Sequence, residues 1–429
     1  MKEPVITAES PKRACLISIR EEKLPSAEAE SLTRELTGLA GTLGLEMVSL
    51  ETVHVREKNV RFIMGTGKAE ELSQKAASLE ADCIVFDRDL SPSQQRNWEE
   101  LTGLSVIDRQ ELIIQIFAGR AHTREAELQV NLVELKYSLP RLQHKYIDLS
   151  RQRGGRYGTR GSGETNLETE RRRVEQRIHQ LEDELEDVRR GRQVQRRQRE
   201  RRGVPVVALV GYTNAGKSSI LNTLTGAAVL AEDKLFATLD STSRRLTLPL
   251  GTQILLVDTV GFIRNLPHNL VDAFRSTLEE ASGADLLLNI LDASDSDITL
   301  QYETTLSVIR DLGAENIPMI KVLNKIDKLD SGSLEELRGK FPDAVPVSAL
   351  PESGQGLATL CERIEHSVSG ANMRFRFPLD RTDLAALVHR SGPVISEKYG
   401  DNYIEMEALV DERTAGRLRE YQYEGKSET

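Results

Sequence analysis

The sequence predicts a multidomain α/β protein, and three observations lead to that prediction. The chain has 429 residues, more than one hydrophobic core normally supports, so about three domains are expected. Short apolar stretches alternate with helix-like stretches along most of its length. A glycine-rich loop stands between an apolar stretch and a helix-like one within residues 206–224, as in folds built on a parallel sheet.

The N-terminal 150 residues are expected to form an α/β domain that ends in a long helix. The strand-like stretches are residues 14–19, 45–55, 81–86 and 105–107, and the helix-like stretches between and after them are residues 27–41, 68–77, 92–101 and 109–117. A further helix is expected over residues 125–137. Pro140 should end that helix, because proline lacks the N–H that a helix needs.

Residues 151–203 are expected to form a glycine- and arginine-rich loop followed by a helical hairpin. Residues 154–163 include five glycines and two arginines, which leaves little apolar area to bury, so we expect a mobile loop. Apolar residues then recur at helical spacing from Leu167 to Val188. Gly191 is expected to turn the chain, and residues 192–201 to return as the second helix.

Residues 204–369 are expected to form a P-loop nucleotide-binding domain, and residues 370–429 a small C-terminal α+β unit. The expected strands of the larger domain are residues 206–210, 254–257, 286–291, 319–323 and 344–347. In the C-terminal unit, strands at residues 374–378 and 403–410 flank a helix at residues 380–389.

Charge is unevenly distributed along the chain. The net charge is −10, yet residues 151–202 contain sixteen arginines, no lysine and ten acidic residues. A basic element in an acidic protein is typical of contact with nucleic-acid phosphates. The alternative is a solvated helix face with acidic partners. Both interpretations stay open for residues 171–177, whereas residues 189–202, with eight arginines and only Glu200, favour the first.

Composition and the N-terminus suggest a cytoplasmic protein. Hydrophobic residues make up 39% of the chain and charged residues 29%, as in folded water-soluble proteins. No apolar run approaches the ~18 residues of a membrane span. Residues 1–10 lack the pattern of a secretory signal. Cys15, Cys83 and Cys361 lack the spacing of a metal or redox motif.

The glycine-rich loop predicts a polyphosphate site. Backbone N–H groups can turn inward around phosphates, and the next helix presents its positive end. Lys217 can reach the β- and γ-phosphates, and Ser218 can bind Mg²⁺. Asn214 either coordinates K⁺ against the phosphates or is an ordinary turn residue. The residues expected to contact the nucleotide here are Gly211, Tyr212, Thr213, Asn214, Ala215, Gly216, Lys217, Ser218 and Ser219.

Base-reading residues favour GTP over ATP. Asp327 follows an apolar strand, where its carboxylate can accept hydrogen bonds from the N1–H and the exocyclic amine of guanine. Adenine presents an acceptor at N1, so the carboxylate would lose about 1–3 kcal/mol or more. The residues expected around the base are Asn324, Lys325, Ile326, Asp327, Ser348, Ala349 and Leu350. This order of motifs is that of a P-loop GTPase.

Two further segments are expected to act on the phosphates. The first is Asp258, Thr259, Val260 and Gly261, where Asp258 can hold Mg²⁺ through water and the Gly261 N–H can contact the γ-phosphate. The second is a switch segment of Phe236, Ala237, Thr238, Leu239 and Asp240, in which Thr238 can bind Mg²⁺ while GTP is present. Catalytic roles are expected for Lys217, Thr238 and Gly261, and the expected Mg²⁺ ligands are Ser218, Thr238 and Asp258.

Phe262 occupies the position after Gly261 where many P-loop GTPases have a glutamine that orients the attacking water. An apolar ring cannot do that. We therefore expect slow intrinsic hydrolysis that is stimulated when a large partner reshapes residues 236–240 and 262–265. The competing interpretation is an interaction module that is gated by GTP and turns it over very little.

From about residue 10 to its end, the chain resembles the HflX family of translation-factor-class GTPases. The resemblance rests on the segments GYTNAGKSS, LFATLD, DTVGFIRNLPHNLVDAFRSTLEE and NKID. It also rests on DLSPSQQRNWE, VIDRQELIIQIFAGRA, LVELKYSLPRL and RGSGETNLETERRR, which GTPases in general do not share. Ser162 and Ser241 depart from it, since proline is expected at both positions.

This resemblance implies GTP-dependent binding to the large ribosomal subunit and its rRNA, with a role in ribosome splitting or rescue. It implies GTP or GDP and Mg²⁺ as cofactors. Family roles carry over to Lys217, Ser218, Thr238, Asp258, Gly261, Asn324, Asp327 and Ser348. We expect the protein to act as a monomer.

Overall fold

The computed structural model describes residues 13–22, 25–57, 59–152, 162–200, 204–226, 235–265, 270, 280–350, 353–410 and 412–423. Its contacts group the chain into two compact units. The first unit contains residues 1–192, 232–240 and 265–275, and the second contains residues 193–231, 241–264 and 276–429. The expected α/β class is confirmed in both. Among the described helices, none is long and apolar enough to span a bilayer.

The first unit is built on a four-stranded parallel sheet in the order β2-β1-β3-β4. Its strands are β1 (Arg13–Glu21), β2 (Glu46–Val55), β3 (Cys83–Phe86) and β4 (Ser105–Ile107). The helices that follow them in turn are α1 (Ser26–Thr42), α2 (Thr66–Ser78), α3 (Pro92–Thr102) and α4 (Arg109–Arg120). All eight expected elements are therefore confirmed.

Aromatic packing holds the core on one face of this sheet. The buried Trp98 of α3 packs against Phe62 and Phe86, with ring centroids 5.5 and 5.1 Å apart respectively. The Trp98 indole N–H donates to the Phe62 carbonyl at 3.3 Å, so the ring is buried without an unsatisfied donor.

Helix α5 (Arg124–Gln152) continues through Pro140, so the expectation that this proline ends the helix is wrong. Proline in a helix interior costs about 3 kcal/mol or more, and tertiary contacts on both sides of it offset this cost. The Tyr137 hydroxyl donates to Glu111 at 3.2 Å. Arg141 stacks on the Tyr137 ring at 3.5 Å and donates to Asp108 at 2.9 Å.

The prediction of a hairpin within residues 167–201 is wrong, because the hairpin is formed instead by α5 and the helix that follows it. Helix α6 (Ser162–Glu200) has no turn at Gly191, and its apolar side packs on α5. Glycine costs only about 1 kcal/mol inside a helix, so it does not by itself force a turn. The buried residues that join the helices are Leu128, Leu132, Ile178, Leu181 and Leu185. Ser162 and Gly163 of the expected loop begin α6, and residues 153–161 lie outside the described residues.

The second unit contains a six-stranded sheet in the order β10-β9-β8-β5-β7-β6. Its strands are β5 (Val206–Gly211), β6 (Thr242–Thr247), β7 (Gln253–Asp258), β8 (Leu286–Asp292), β9 (Met319–Asn324) and β10 (Val345–Pro346). Its helices are α7 (Lys217–Thr225), α8 (Ile298–Asp311), α9 (Ser331–Lys340) and α10 (Leu357–Val368). The five expected strands are confirmed. The polar edge strand β6, antiparallel to β7, was not predicted.

The same unit ends in a three-stranded antiparallel sheet in the order β11-β13-β12. Its elements are β11 (Ala371–Pro378), α11 (Thr382–Ser391), β12 (Val394–Tyr399), β13 (Tyr403–Val410) and α12 (Glu412–Arg417). Phe375, Phe377 and Met406 are buried in its core. The edge strand β12 and helix α12 are additions to the expected elements.

We predict that Leu181→Ala destabilises the first unit by about 2–5 kcal/mol, because it leaves a cavity between α5 and α6. Leu181 is fully buried in that interface. Urea unfolding followed by circular dichroism measures the change. Gln176→Ala, at an exposed position of the same helix, is the matched control. Equal midpoints for the two variants would contradict the α5–α6 hairpin.

Candidate nucleotide site

The candidate site lies at the carboxyl edge of the six-stranded sheet. Strands β5, β7 and β9 run parallel to their neighbour β8 or to each other and end at Gly211, Asp258 and Asn324. Parallel strands present their carboxyl ends on one edge, where open α/β sheets bind ligands. The phosphate loop, Asp258 and the base-reading segment are thereby brought together.

The phosphate loop needs its two outer glycines for steric reasons. A Cβ on Gly211 would lie 2.3 Å from the Ile290 carbonyl oxygen, and a Cβ on Gly216 would lie 2.2 Å from Asn324 Nδ2. Gly216 has a φ of 91°, and Asn214 also adopts a left-handed conformation with a φ of 63°. Asn214 therefore serves as a turn residue in this backbone, whatever else its amide binds.

Asn324 connects the phosphate loop to the segment expected to support the base. Its Nδ2 donates to the Ala215 carbonyl at 2.9 Å, and its Oδ1 accepts from the Ala349 N–H at 3.2 Å. The side chain is 1% exposed. A buried amide with both ends satisfied holds the two loops at a fixed separation.

Lys217 is buried at the start of α7, with its ammonium directed at the loop. The Nζ donates to the carbonyls of Tyr212 at 2.8 Å and Gly211 at 3.2 Å. Burial lowers the pKa of Lys217 to about 8, and the nearby Asp258 carboxylate opposes that shift. A bound polyphosphate would supply the negative charge that this buried cation lacks.

Ser218 and Asp258 form a pair suited to a hard divalent cation. The Ser218 hydroxyl donates to Asp258 Oδ2 at 2.6 Å, and Asp258 is fully buried. Hydroxyl and carboxylate oxygens, completed by phosphate oxygens and water, are ligands that Mg²⁺ accepts. The residues present therefore fit the expected metal.

The base-reading segment leaves Asp327 accessible. Asp327 is exposed, and its Oδ1 accepts from the buried Ser348 hydroxyl at 2.6 Å. Lys325 has a φ of 64°, and its Nζ pairs with Asp292 at 2.7 Å. Of the other residues expected here, Ile326 and Ala349 are buried, and Leu350 is 52% exposed.

Phe262 and Arg264, in the segment after Asp258, are hydrogen-bonded to the phosphate loop. The Thr213 N–H donates to the Phe262 carbonyl at 2.8 Å, and the Phe262 N–H donates to the Gly211 carbonyl at 3.1 Å. The Arg264 N–H donates to the Tyr212 hydroxyl at 3.0 Å. The Phe262 ring is only 3% exposed. No sequence pattern signalled the contact between Tyr212 and Arg264, which joins residues far apart in the chain.

Thr259 and Val260, which precede Gly261 in that segment, are buried in the protein interior. The Thr259 hydroxyl donates to the Leu209 carbonyl at 2.7 Å, and Val260 is buried. Ser219, in the first turn of α7, is half-buried. Of these three expected contact residues, Thr259 has a hydroxyl that is hydrogen-bonded within the protein.

The expected switch segment belongs to the first unit, where it packs on α1, α4 and the start of α5. The buried Phe236 contacts Phe117 edge to face with ring centroids 4.7 Å apart. The Leu235 N–H donates to the Thr42 hydroxyl at 3.2 Å. Leu239 is buried, and Ala237 and Thr238 are half-buried. The Mg²⁺ ligands expected from the sequence thus fall in both units, with Thr238 in the first.

Asp240 lies at the N-terminus of α5. Its Oδ2 accepts from the N–H groups of His122 and Thr123, each at 3.2 Å, and its Oδ1 accepts from the Thr123 hydroxyl. Thr123 in turn caps the helix, since its hydroxyl accepts from the Ala126 N–H at 3.2 Å. A carboxylate is electrostatically favourable at this end of a helix.

We predict that nucleotide affinity falls as the pH rises through about 8, because a neutral Lys217 no longer attracts phosphate. Binding must then take up a proton, so the loss approaches about tenfold per pH unit above the pKa. Titration with a fluorescent guanine nucleotide between pH 7 and 9 measures it. Lys217→Met should bind weakly with a flatter profile, and an unchanged slope in that variant would contradict the assignment.

Comparison with known proteins finds three family models along the chain. A family model described as "50S ribosome-binding GTPase" matches residues 206–325. Models described as "GTP-binding GTPase N-terminal" and "GTP-binding GTPase Middle Region" match residues 30–118 and 120–199. A GTP-binding protein of Sulfolobus solfataricus, solved with GDP, is 26% identical, with 83% of this chain and 99% of that chain covered and a TM-score of 0.44.

Relatives called GTPase HflX match nearly the whole chain. The protein of Akkermansia muciniphila is 45% identical, with 93% of this chain and 94% of the relative covered. That of Caldanaerobacter subterraneus is 42% identical, with 96% and 94% covered. That of Escherichia coli is 41% identical, with 79% of each chain covered. The chain therefore belongs to the HflX family of GTPases, P-loop hydrolases that bind GTP and GDP.

Proposed function

We propose that this GTPase is a nucleotide-controlled switch that binds the large ribosomal subunit and acts in ribosome splitting or rescue. The family model of its nucleotide domain carries the description "50S ribosome-binding GTPase", which supports the partner. In this proposal the ribosome stimulates hydrolysis of GTP to GDP and phosphate. The protein works as a cytoplasmic monomer, with domains at residues 1–150, 151–203, 204–369 and 370–429.

The observation that carries the proposal is the attachment of the switch segment to the helical hairpin. Asp240 ends that segment, and its carboxylate accepts from the backbone at the start of α5. Helix α5 packs along α6, the helix that carries most of the arginines of residues 151–202. Any rearrangement of residues 236–240 on binding or losing the γ-phosphate acts directly on the hairpin.

The arginines of α6 can exchange their present partners for phosphates. Arg172 and Arg190 pair with Glu168 and Glu186 one helical turn away, and their side chains are 71% and 69% exposed. Exposed pairs of this kind contribute only about 0–1 kcal/mol, so rRNA phosphates compete with them readily. The side chains of residues 192–200 lie outside the described part of the chain.

The chemistry of hydrolysis is assigned to residues of the site. Mg²⁺, held by Ser218 and Asp258, would neutralise phosphate charge. Lys217 binds the β- and γ-phosphates, and the Gly261 N–H donates to the γ-phosphate. Thr238 joins the Mg²⁺ site when GTP orders the switch segment. The buried Phe262 ring offers the attacking water no hydrogen bond, so the partner must complete the arrangement.

A second candidate function is favoured by that same ring. A GTPase without a water-orienting side chain can serve as an RNA- or ribosome-binding module that is gated by GTP and barely turns it over. Multiple-turnover hydrolysis with and without large subunits separates the two, because the module should show equal, low rates in both.

Asn214 is proposed as a K⁺ ligand in addition to its role in the turn. Its side-chain oxygen stands in the phosphate loop, where a monovalent cation could offset phosphate charge. Hydrolysis should then be faster in K⁺ than in Na⁺ at equal ionic strength. Equal rates in the two salts would remove this role.

We predict that the protein co-sediments with large subunits in sucrose gradients more strongly with a GTP analogue than with GDP or no nucleotide. Asp240→Ala should reduce this difference, because the switch segment loses its attachment to α5. Asp401→Ala, at an exposed position of the C-terminal unit, is the matched control. Equal sedimentation of the unaltered protein under all three conditions would refute the switch.

A further inference from the structure

Thr213 is the third residue of the phosphate loop, and its side-chain hydroxyl is buried. The residue is 5% exposed, and Oγ1 has no hydrogen-bond partner among the residues that the structure describes. Its backbone N–H is already used by the Phe262 carbonyl. A buried hydroxyl without a hydrogen-bond partner lowers the stability of the fold. In a binding loop, a bound ligand can supply the missing partner.

Four other hydroxyls around the phosphate loop have structural partners. Ser218 donates to Asp258, Thr259 donates to the Leu209 carbonyl, and Ser348 donates to Asp327. The Tyr212 hydroxyl accepts from the Arg264 N–H. Thr213 therefore differs from these four, whose hydrogen bonds hold the site together without a nucleotide.

Thr213 lies where the terminal phosphate is expected. A Cβ built on Gly261 would be 2.8 Å from Thr213 Cα, 3.0 Å from Thr213 Cγ2 and 2.9 Å from Lys217 Nζ. Thr213 and Lys217 thus lie directly against Gly261, and the Thr213 methyl group is the part of that side chain nearest to it. Lys217 and Gly261 are the two groups already expected to contact the γ-phosphate, so the Thr213 side chain is adjacent to both.

Phe262, the residue after Gly261, offers this phosphate no polar side chain. That ring is apolar and buried, and its backbone N–H and carbonyl are paired with Gly211 and Thr213. We propose that the Thr213 hydroxyl is a catalytic group that donates a hydrogen bond to a γ-phosphoryl oxygen of GTP. The proposal rests on the GTPase activity of the family and does not depend on a ribosomal partner.

The hydroxyl forms and breaks no covalent bond in this role. The water oxygen bonds to the γ-phosphorus, and the bond between that phosphorus and the bridging oxygen breaks. The bridging oxygen keeps the electron pair and leaves with GDP, while a water proton passes to the phosphate product or to solvent. A hydrogen bond donated to a γ-phosphoryl oxygen stabilises the negative charge on the phosphoryl group in the transition state of its transfer.

Thr213→Val tests the proposal, because it replaces the hydroxyl with a methyl group of similar size. Binding of a non-hydrolysable GTP analogue should weaken by about 10- to 100-fold, the usual worth of a hydrogen bond to a charged group. GDP affinity should stay within about twofold, since GDP lacks the γ-phosphate. Single-turnover hydrolysis should fall as well, and Thr213→Ser should restore both. Fluorescence titration and rapid quench measure these quantities.

Stability without nucleotide provides an independent readout. Thr213→Val should not lower the melting temperature, because it removes a buried hydroxyl that has no partner. The control is Thr305→Val in α8, whose buried hydroxyl donates to the Gln301 carbonyl at 2.9 Å. It should lower the melting temperature and leave the ratio of GTP to GDP affinity unchanged.

Three results would overturn the proposal. The first is an equal loss of GTP-analogue and GDP affinity in Thr213→Val. The second is a Thr213→Ser variant as defective as Thr213→Val. The third is a Thr213→Val variant that melts as early as Thr305→Val or fails to fold, since its hydroxyl would then have a structural partner.

Discussion

The side-chain amide of Asn324 joins the two halves of the nucleotide site, and the positions of the surrounding loops depend on it. One end of the amide holds the Ala215 carbonyl and the other holds the Ala349 N–H. Because the amide is buried, neither bond competes with water, and losing one would leave a buried polar group unsatisfied. The amide also requires glycine at position 216, because a Cβ on Gly216 would collide with Asn324 Nδ2. The geometry that separates phosphates from base is thus set by one residue at the end of β9.

A second set of contacts makes the residues after Asp258 part of the phosphate loop. Tyr212 and Phe262 form a short parallel bridge, and the Tyr212 hydroxyl accepts from the Arg264 N–H. This pairing uses backbone groups that could otherwise face a ligand. The Lys217 ammonium and the Thr213 side chain lie next to Gly261.

In the first unit, the Phe236 ring and the Asp240 carboxylate attach the switch segment to α4 and to the residues before α5. Phe236 has a φ of 55°, an uncommon conformation for an aromatic residue, and its ring is fixed against Phe117. Asp240 accepts from the backbone N–H groups of His122 and Thr123, just before α5, and Thr123 caps the helix. The segment expected to respond to nucleotide is therefore held by specific contacts, and any response must break or shift them.

The sequence by itself determined the α/β class, the expected strands of both larger sheets and the order of the GTPase motifs. These features follow from local patterns: buried strands are continuously apolar, and each motif adjoins the end of a strand. Tertiary structure alone decided that α5 runs through Pro140, that α6 continues past Gly191, and that the two form the hairpin. Local preferences of about 1–3 kcal/mol were outweighed there by packing between distant residues. Edge strands such as β6 also escaped prediction, because a polar strand with one neighbour has no apolar signature. The sequence also could not show that the Thr213 hydroxyl is buried without a hydrogen-bond partner among the described residues, because burial depends on the tertiary structure.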